Sequence, residues 1–289
     1  MTGAITTVRT VKDLRAHLAT WRKSGETVAL VPTMGALHEG HLSLVALAGT
    51  KADRVVVSIF VNPIQFGPRE DFKTYPRDEA GDLVKLIKAG THLVYAPDMA
   101  GIYPKGFTTH VRVGDLTEDL CGSARPNHFE GVATVVTKLL LQCAPDLAVF
   151  GEKDYQQLLV IKRLVRDLDL QVEIVGGEIV REGDGLALSS RNGYLSPAER
   201  KVAPLLYHTI HEVAAALAQG AGADTASEAG RFKLEAAGFR VDYVAVRDPE
   251  TLARLSGPVK QARVLAAVHL GKTRLIDNVP VPLPASTNR

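Results

Sequence analysis

Two histidines three residues apart, His38 and His41, stand in the segment PTMGALHEGH, residues 32–41. The segment follows an apolar run that reads as a strand, and it opens a stretch of helical character. In open α/β sheets ligands bind beyond the carboxyl ends of strands, so the place suits a binding turn. Gly35 and Gly40 let the backbone turn sharply and approach a ligand closely. A helix N-terminus offers unpaired N–H groups and the positive end of a dipole, which favours phosphate. The spacing puts both imidazoles on one face of the first helical turn. There they can donate to a triphosphate and to charge developing on its α-phosphoryl group. Zinc ligation by this pair is disfavoured, because the second histidine comes one residue too early for H-E-x-x-H.

Three further segments carry chemistry-bearing side chains. In SIFVNPIQFGPREDFKTYPR (58–77), Asn62 and Gln65 present neutral amides that can hydrogen-bond a hydroxy acid, or cap a turn. In GEKDYQQL (151–158), Lys153 offers a point charge for phosphate and Gly151 a close backbone approach. Asp154 can bind a ribose hydroxyl or cap a helix, and Gln157 follows on the same side. In GLALSSRN (185–192), Ser189, Ser190 and Arg191 place two hydroxyls and a guanidinium in one turn. Arg125 and His128, in RPNHF, are candidates for phosphate or substrate contact and equally for a structural role in their loop. His208 and His211 are spaced like a metal pair but fall on an Ala-rich helix, where they read as surface groups.

The elements that must position these residues follow a simple alternation. Thr10 caps a helix over VKDLRAHLATWRK, with Val11, Leu14 and Leu18 on one face. Short, almost continuous apolar runs at 27–33, 54–60, 92–96, 147–151 and 171–176 read as strands buried on both faces. Helical stretches at 41–52, 78–89, 131–142 and 155–168 separate them. That order predicts βαβ units in a parallel sheet covered by helices, a doubly wound, Rossmann-like α/β fold. Residues 101–129 read as irregular, a length typical of functional loops. Near Val180 the pattern changes to a turn-rich stretch and one long helix over 197–219. A Gly/Ala-rich piece at 219–230 then reads either as a linker or as the start of a small helix at 225–237. Three strands with period-2 character follow, and the last ten residues read as a frayed tail. The expected domains are 1–179 and a smaller α+β domain, 180–289. Trp21 and the strand aliphatics are expected in the core.

Composition excludes several classes. The chain has 289 residues, 46% hydrophobic and 23% charged, with 34 basic and 32 acidic residues for a net charge of +2. Such a balance supplies no global field for nucleic acid or membranes. Cys121 and Cys143 are the only cysteines and form no C-x-x-C motif, which argues against a disulfide framework or a cysteine-based zinc site. No apolar run suits a signal peptide or a spanning helix, so a cytoplasmic protein is expected.

The histidine segment resembles the HIGH signature of the nucleotidylyltransferase superfamily, which also includes the class I aminoacyl-tRNA synthetases. Together with FVNPIQF, YPR, RPNHFEGVATVV, FGEKDYQQL and DGLALSSRN, in that order over about residues 30–195, it closely resembles the pantoate–β-alanine ligase family. No single motif carries this; their joint presence does, and RLIDN extends the likeness to the C-terminal part.

The resemblance implies ATP-dependent joining of pantoate to β-alanine through a pantoyl adenylate, with release of AMP and pyrophosphate. It implies that Met34, Gly35, Ala36, Leu37, His38, Glu39, Gly40 and His41 wrap the ATP, with His41 the proton donor and His38 on the same phosphates. Gly151, Glu152, Lys153 and Asp154 contact the nucleotide, Lys153 meeting the phosphates, and Val180 lies beside adenine through its backbone. Leu188, Ser189, Ser190 and Arg191 correspond to the superfamily's second, mobile phosphate motif. Gln65 and Gln157 hold pantoate with Asn62 nearby, and Gln65 also lies where β-alanine approaches. Mg²⁺ is expected on the phosphates and water, a homodimer is expected, and the smaller domain is expected to close over the ATP site. The family commonly has Met where this chain has Leu188, a change that nearly conserves volume.

Other readings compete. A cytidylyl- or adenylyltransferase would need no amine acceptor and would lack FVNPIQF with GEKDYQQL. A class I tRNA synthetase is disfavoured by the short chain and near-neutral charge. A non-catalytic nucleotide sensor is disfavoured by the intact His38, His41, Lys153 and Arg191.

Overall fold

The computed structural model describes residues 5–68, 70–255 and 261–281. The chain divides into two compact units, Met1–Glu152 with Gln157–Glu178, and Lys153–Gln156 with Ile179–Arg289. The first contains β1 (Thr6–Val8), α1 (Val11–Lys23), β2 (Val28–Thr33), α2 (Glu39–Gly49), β3 (Arg54–Ile59), α3 (Glu79–Lys88) and β4 (Leu93–Tyr95). The one-turn helices α4 (Met99–Ile102) and α5 (Cys121–Ala124) follow, then α6 (His128–Cys143), β5 (Leu147–Gly151), most of α7 (Tyr155–Asp167) and β6 (Glu173–Gly177).

The six strands form one parallel sheet in the order β1-β4-β3-β2-β5-β6. From β2 the chain winds outward to β3 and β4, whereas β5 lies on the other side of β2 and leads to β6. The order therefore reverses between β2 and β5, and a ligand crevice is expected beyond their carboxyl ends. Both faces of the sheet are apolar because both are covered. Val28, Leu30, Val56, Tyr95 and Phe150 pack with residues of α1, α6 and α7, while Ala29, Val31, Val57 and Val149 pack with residues of α2 and α3. The cap expected at Thr10 forms, its side chain accepting from the Asp13 amide, and Asp78 caps α3 by accepting from the Gly81 amide.

The second unit contains α8 (Pro197–Val202), α9 (Leu205–Ala218), α10 (Ala223–Ala236), β7 (Arg240–Arg247), β8 (Arg263–Leu270) and β9 (Thr273–Pro280). The strands form an antiparallel sheet in sequence order, with α9 and α10 contributing to its core. Gly230 lets α10 come close to α9, since a Cβ there would lie 2.7 Å from Val213 Cγ2.

Several expectations change. The single helix over 197–219 is two, because Pro204 begins a new helix and cannot supply the N–H that would continue the first. The Gly/Ala-rich piece is α10 from Ala223 onward rather than a linker. β1 and the turns α4 and α5 appear where no element was expected. Trp21 is only half-buried at the core margin, under the Arg54 guanidinium. The strand β9 runs to Pro280 and Val281 is buried, so the frayed tail does not begin there; residues 282–289 lie outside the described residues. Lys153–Gln156 group with the second unit, although the sequence pattern puts them in the first. The Tyr155 hydroxyl donates to the Pro249 carbonyl at 2.9 Å, and Arg263 lies 3.7 Å above the Tyr155 ring. Asn278 Nδ2 also donates to the Lys153 carbonyl at 3.1 Å.

Candidate active site

The turn after β2 is built by its own residues and by one distant carboxylate. Thr33 Oγ1 donates to the Ser58 carbonyl and accepts from the Gly35 amide. Gly35 and Ala36 both adopt positive φ, 78° and 52°. For alanine this left-handed conformation costs roughly 1–2 kcal/mol. Asp82 of α3 stabilises it: its carboxylate accepts from the Ala36 amide at 2.8 Å and from the Leu37 amide at 2.7 Å. Asp82 is 1% exposed, and burial pushes its carboxyl above the ordinary value despite those two bonds. Lys85, one turn on, donates to the Leu37 carbonyl at 2.6 Å.

The two histidines cap α2 reciprocally. Nδ1 of His38, the N-cap residue, accepts from the Gly40 amide at 3.2 Å, and His41 Nδ1 accepts from the His38 amide at 3.3 Å. The ring centroids are 4.1 Å apart. An Nδ1 that accepts carries no proton, so each neutral ring holds its proton on Nε2. Both Nε2–H groups are thereby set as donors in the first turn of a helix whose N-terminus favours anions.

Gln65 lies on a 3₁₀ turn, Pro63–Gln65, after β3. Asn62 is 1% exposed, and its Nδ2 donates to Gln65 Oε1 and to the Gly131 carbonyl, both at 3.0 Å. Its Oδ1 accepts from the Tyr103 hydroxyl at 2.8 Å. Burial pushes the Tyr103 phenol well up, more than its bond to Asn62 lowers it, so it stays a neutral donor. The Asn62 amide hydrogens are thus used within the protein. What Asn62 supplies is the orientation of Gln65, whose Nε2 points at Met34 Sδ, 3.1 Å away. A thioether is a weak acceptor, which a ligand oxygen would readily replace. His38, His41, Met34 and Gln65 therefore belong to one connected region of the first unit. Gly151 closes β5, where a Cβ would lie 3.8 Å from Leu44 Cδ1, and Glu152 follows it. Gln157 is half-buried on α7.

The remaining candidates belong to the second unit. Lys153 Nζ lies 4.0 Å from Asp154 Oδ2. Leu188 donates its amide to the Val180 carbonyl at 3.0 Å. Ser189 caps a 3₁₀ turn, Ser190–Tyr194, its hydroxyl accepting from the Arg191 amide. That turn is braced by Asn192, which donates to Glu182 and to the Ala187 carbonyl. Arg200 holds Glu182 and Asp184, each at 2.6 Å, and Arg181 is paired with the buried Asp277. His208 and His211 are exposed, and among the described residues no three His, Cys, Asp or Glu side chains converge on a metal position. Also among the described residues, no helix is long and apolar enough to cross a membrane.

No local sequence signal marks Asp82, Lys85, Tyr103 or Glu70, whose partners lie in distant segments. Glu70 is paired with Arg125, which it meets at 2.6 Å. Only a prediction of contacts between distant segments would have found them.

Fold and turn together define a Rossmann-like α/β protein whose candidate site lies on the turn where the strand order reverses. Comparison with known proteins narrows this. The family model described as pantoate-beta-alanine ligase matches residues 6–280. A pantothenate synthetase from Rhodospirillum rubrum is 58% identical over 280 residues, covering 96% of this chain and 99% of that one. The crystal structure of pantothenate synthetase from Thermus thermophilus superimposes with a TM-score of 0.91 at 51% identity, covering 97% of this chain and 100% of that one. A pantoate-beta-alanine ligase from Francisella tularensis, complexed with beta-gamma ATP and beta-alanine, gives 0.81 at 32% identity over 96% and 97%. This chain belongs to the pantoate-beta-alanine ligase family: it is a ligase of pantothenate formation.

Proposed function

We propose that the enzyme uses ATP to join pantoate and β-alanine in two steps. The pantoate carboxylate attacks the α-phosphorus in line, forming pantoyl adenylate and expelling pyrophosphate. The β-alanine amine then attacks the acyl carbon, forms the amide bond and expels AMP. A carboxylate is a poor electrophile, whereas a mixed anhydride with AMP has a good leaving group. No covalent enzyme intermediate is needed, so the protein's work is positioning and charge stabilisation.

The observation that carries this reading is the reciprocal capping of His38 and His41, which commits both Nε2–H groups to donation at a helix N-terminus. The residues 34–41 take the nucleotide, with His41 donating to charge developing at the α-phosphoryl group and His38 to the same phosphates. Gln65 and Gln157 take the pantoate hydroxyls and carboxylate, and Gln65 also faces the incoming amine. Asn62 acts through Gln65. Gly151, Glu152, Lys153, Asp154 and Val180 complete the nucleotide site, and Leu188, Ser189, Ser190 and Arg191 grip the phosphates. The ATP-analogue complex of the Francisella relative supports the choice of nucleotide. Mg²⁺ enters as MgATP, held mainly by phosphate oxygens and water. The protein acts as a cytoplasmic homodimer, a state that sedimentation would test.

The deciding assay mixes protein, MgATP, pantoate and β-alanine and follows AMP and pantothenate. Equal amounts of the two are expected. ADP, or AMP without an amine-dependent product, overturns the mechanism.

A further inference from the structure

Gln65 is held from behind by a chain of side chains that begins far away in sequence. Arg125 gives a two-pronged bond to Glu70, Nε to Oε1 at 2.7 Å and Nη2 to Oε2 at 2.6 Å. The pair is mostly withdrawn from solvent, at 18% and 26% side-chain exposure. Arg125 Nη1 faces His128 Nε2 at 2.9 Å, and His128 Nδ1 lies 2.8 Å from the Gln65 carbonyl oxygen.

The proton positions follow from what each group can do. A guanidinium only donates, so His128 Nε2 must accept. A carbonyl only accepts, so His128 Nδ1 must donate. Both ends select the neutral Nδ1–H ring, the opposite tautomer to that of His38 and His41. An imidazolium would set N–H against N–H at Arg125. Glu70 neutralises the arginine, which keeps the charge of the pair from acting on the ligand region. The first turn of α6 reinforces the hold, because Gly131 packs directly on the Gln65 backbone and its carbonyl accepts from Asn62.

We propose that His128, backed by Arg125 and Glu70, is a positioning residue for the hydroxy-acid substrate: it fixes the Gln65 backbone and thereby the direction of the Gln65 carboxamide. This rests on Gln65 binding that substrate, as proposed above. Arg125 and His128 then act without touching phosphate or substrate. Displacing the turn should weaken the hydroxy acid and spare the nucleotide.

The test measures KM for pantoate, ATP and β-alanine separately, alongside melting temperature. His128→Gln keeps an acceptor near Nε2 but loses the donor at Nδ1. Its pantoate KM is expected to rise about tenfold or more, as for a misplaced binding group, with the ATP KM within about twofold of wild type. His128→Asn keeps a donor near Nδ1 and should recover most of the loss. Glu70→Gln, further from Gln65, should move the pantoate KM in the same direction by a smaller factor and serves if His128→Gln fails to fold. Unchanged pantoate KM, equal changes for ATP and pantoate, or no advantage of Asn over Gln would overturn the proposal. Nitrogen-15 shifts of His128 in the wild-type protein should report the Nδ1–H tautomer. An Nε2–H ring would overturn the relay whatever the reaction, whereas wild-type protein that makes no pantothenate would overturn the reading of the reaction instead.

Discussion

Asp82 Oδ1 lies 2.7 Å from the amide nitrogen of Leu37, so a carboxylate on α3 holds the turn that follows β2. Its other oxygen holds Ala36, the residue in the left-handed conformation. Asp82→Asn keeps the volume but has one acceptor, and its NH₂ group would face an amide N–H. The expected cost is ~1–3 kcal/mol of stability, together with about tenfold weaker ATP binding from a displaced turn. Calorimetric titration with a non-hydrolysable ATP analogue measures the second effect. Wild-type affinity in a folded Asn variant would mean the carboxylate does not set the nucleotide turn.

His41 has two separable roles, because its two ring nitrogens face different partners. Nδ1 caps the His38 amide, and Nε2–H is the proposed donor to the α-phosphoryl group. His41→Ala loses both: adenylate formation should fall by about 10² or more and stability by ~1 kcal/mol. His41→Asn restores an acceptor near Nδ1 and should recover the stability without the rate. Pyrophosphate release and thermal melts read the two effects independently. A normal rate in either variant would remove His41 from the chemistry.

The same distinction between near and far explains what the sequence could reveal. The strands around Leu30, Val57 and Val149 are readable because burial on both faces leaves a local apolar run, and Thr10 and Asp78 announce their helices within three residues. His38, His41 and Gln65 stand out as candidates because a histidine spacing and an amide after a strand are local signals. By contrast, Asp82 reaches Leu37 across 45 residues, Tyr103 reaches Asn62 across 41, and Arg125 reaches Glu70 across 55. No spacing rule reports such pairs; the fold creates them. β1 is three residues long and becomes a strand through its pairing with β4, again a non-local cause. The break between α8 and α9 is different, since Pro204 is a local signal.

Glu70 and Asp82 should respond to pH with opposite signs. Burial alone would raise the Glu70 carboxyl, but the bonds and charge of Arg125 outweigh it and hold it below the ordinary 4.5. A depressed carboxyl stabilises the fold above its unfolded value and loses that contribution as pH falls through the folded one. Asp82 is raised above 3.8, mainly by burial, so its contribution is present below 3.8 and is lost as pH rises through the folded value. Denaturant midpoints between about pH 3 and 7 should therefore show a shallower acid limb for Arg125→Met than for wild type, and a steeper net rise with pH for Asp82→Asn. Parallel curves for all three proteins would contradict both assignments.

Gly131 offers the sharpest test of how closely α6 approaches the turn proposed to hold pantoate. Alanine normally favours a helix interior over glycine by roughly 1 kcal/mol, so Gly131→Ala would stabilise an unconstrained helix. Here the added Cβ would lie 2.6 Å from Gln65 Cα and from the Ile64 carbonyl oxygen. Both are backbone atoms, which cannot swing aside as a side chain can. Overpacking of this kind costs ~1–3 kcal/mol, so the expected outcome is a net loss of stability despite better propensity. Because the atoms pushed are those of the Gln65 turn, the pantoate KM should rise with it, while the nucleotide turn, anchored separately by Asp82, keeps its affinity. A Gly131→Ala protein that melts higher than wild type and binds pantoate normally would show that the turn yields freely, and the rigid hold of α6 on Gln65 would have to be abandoned.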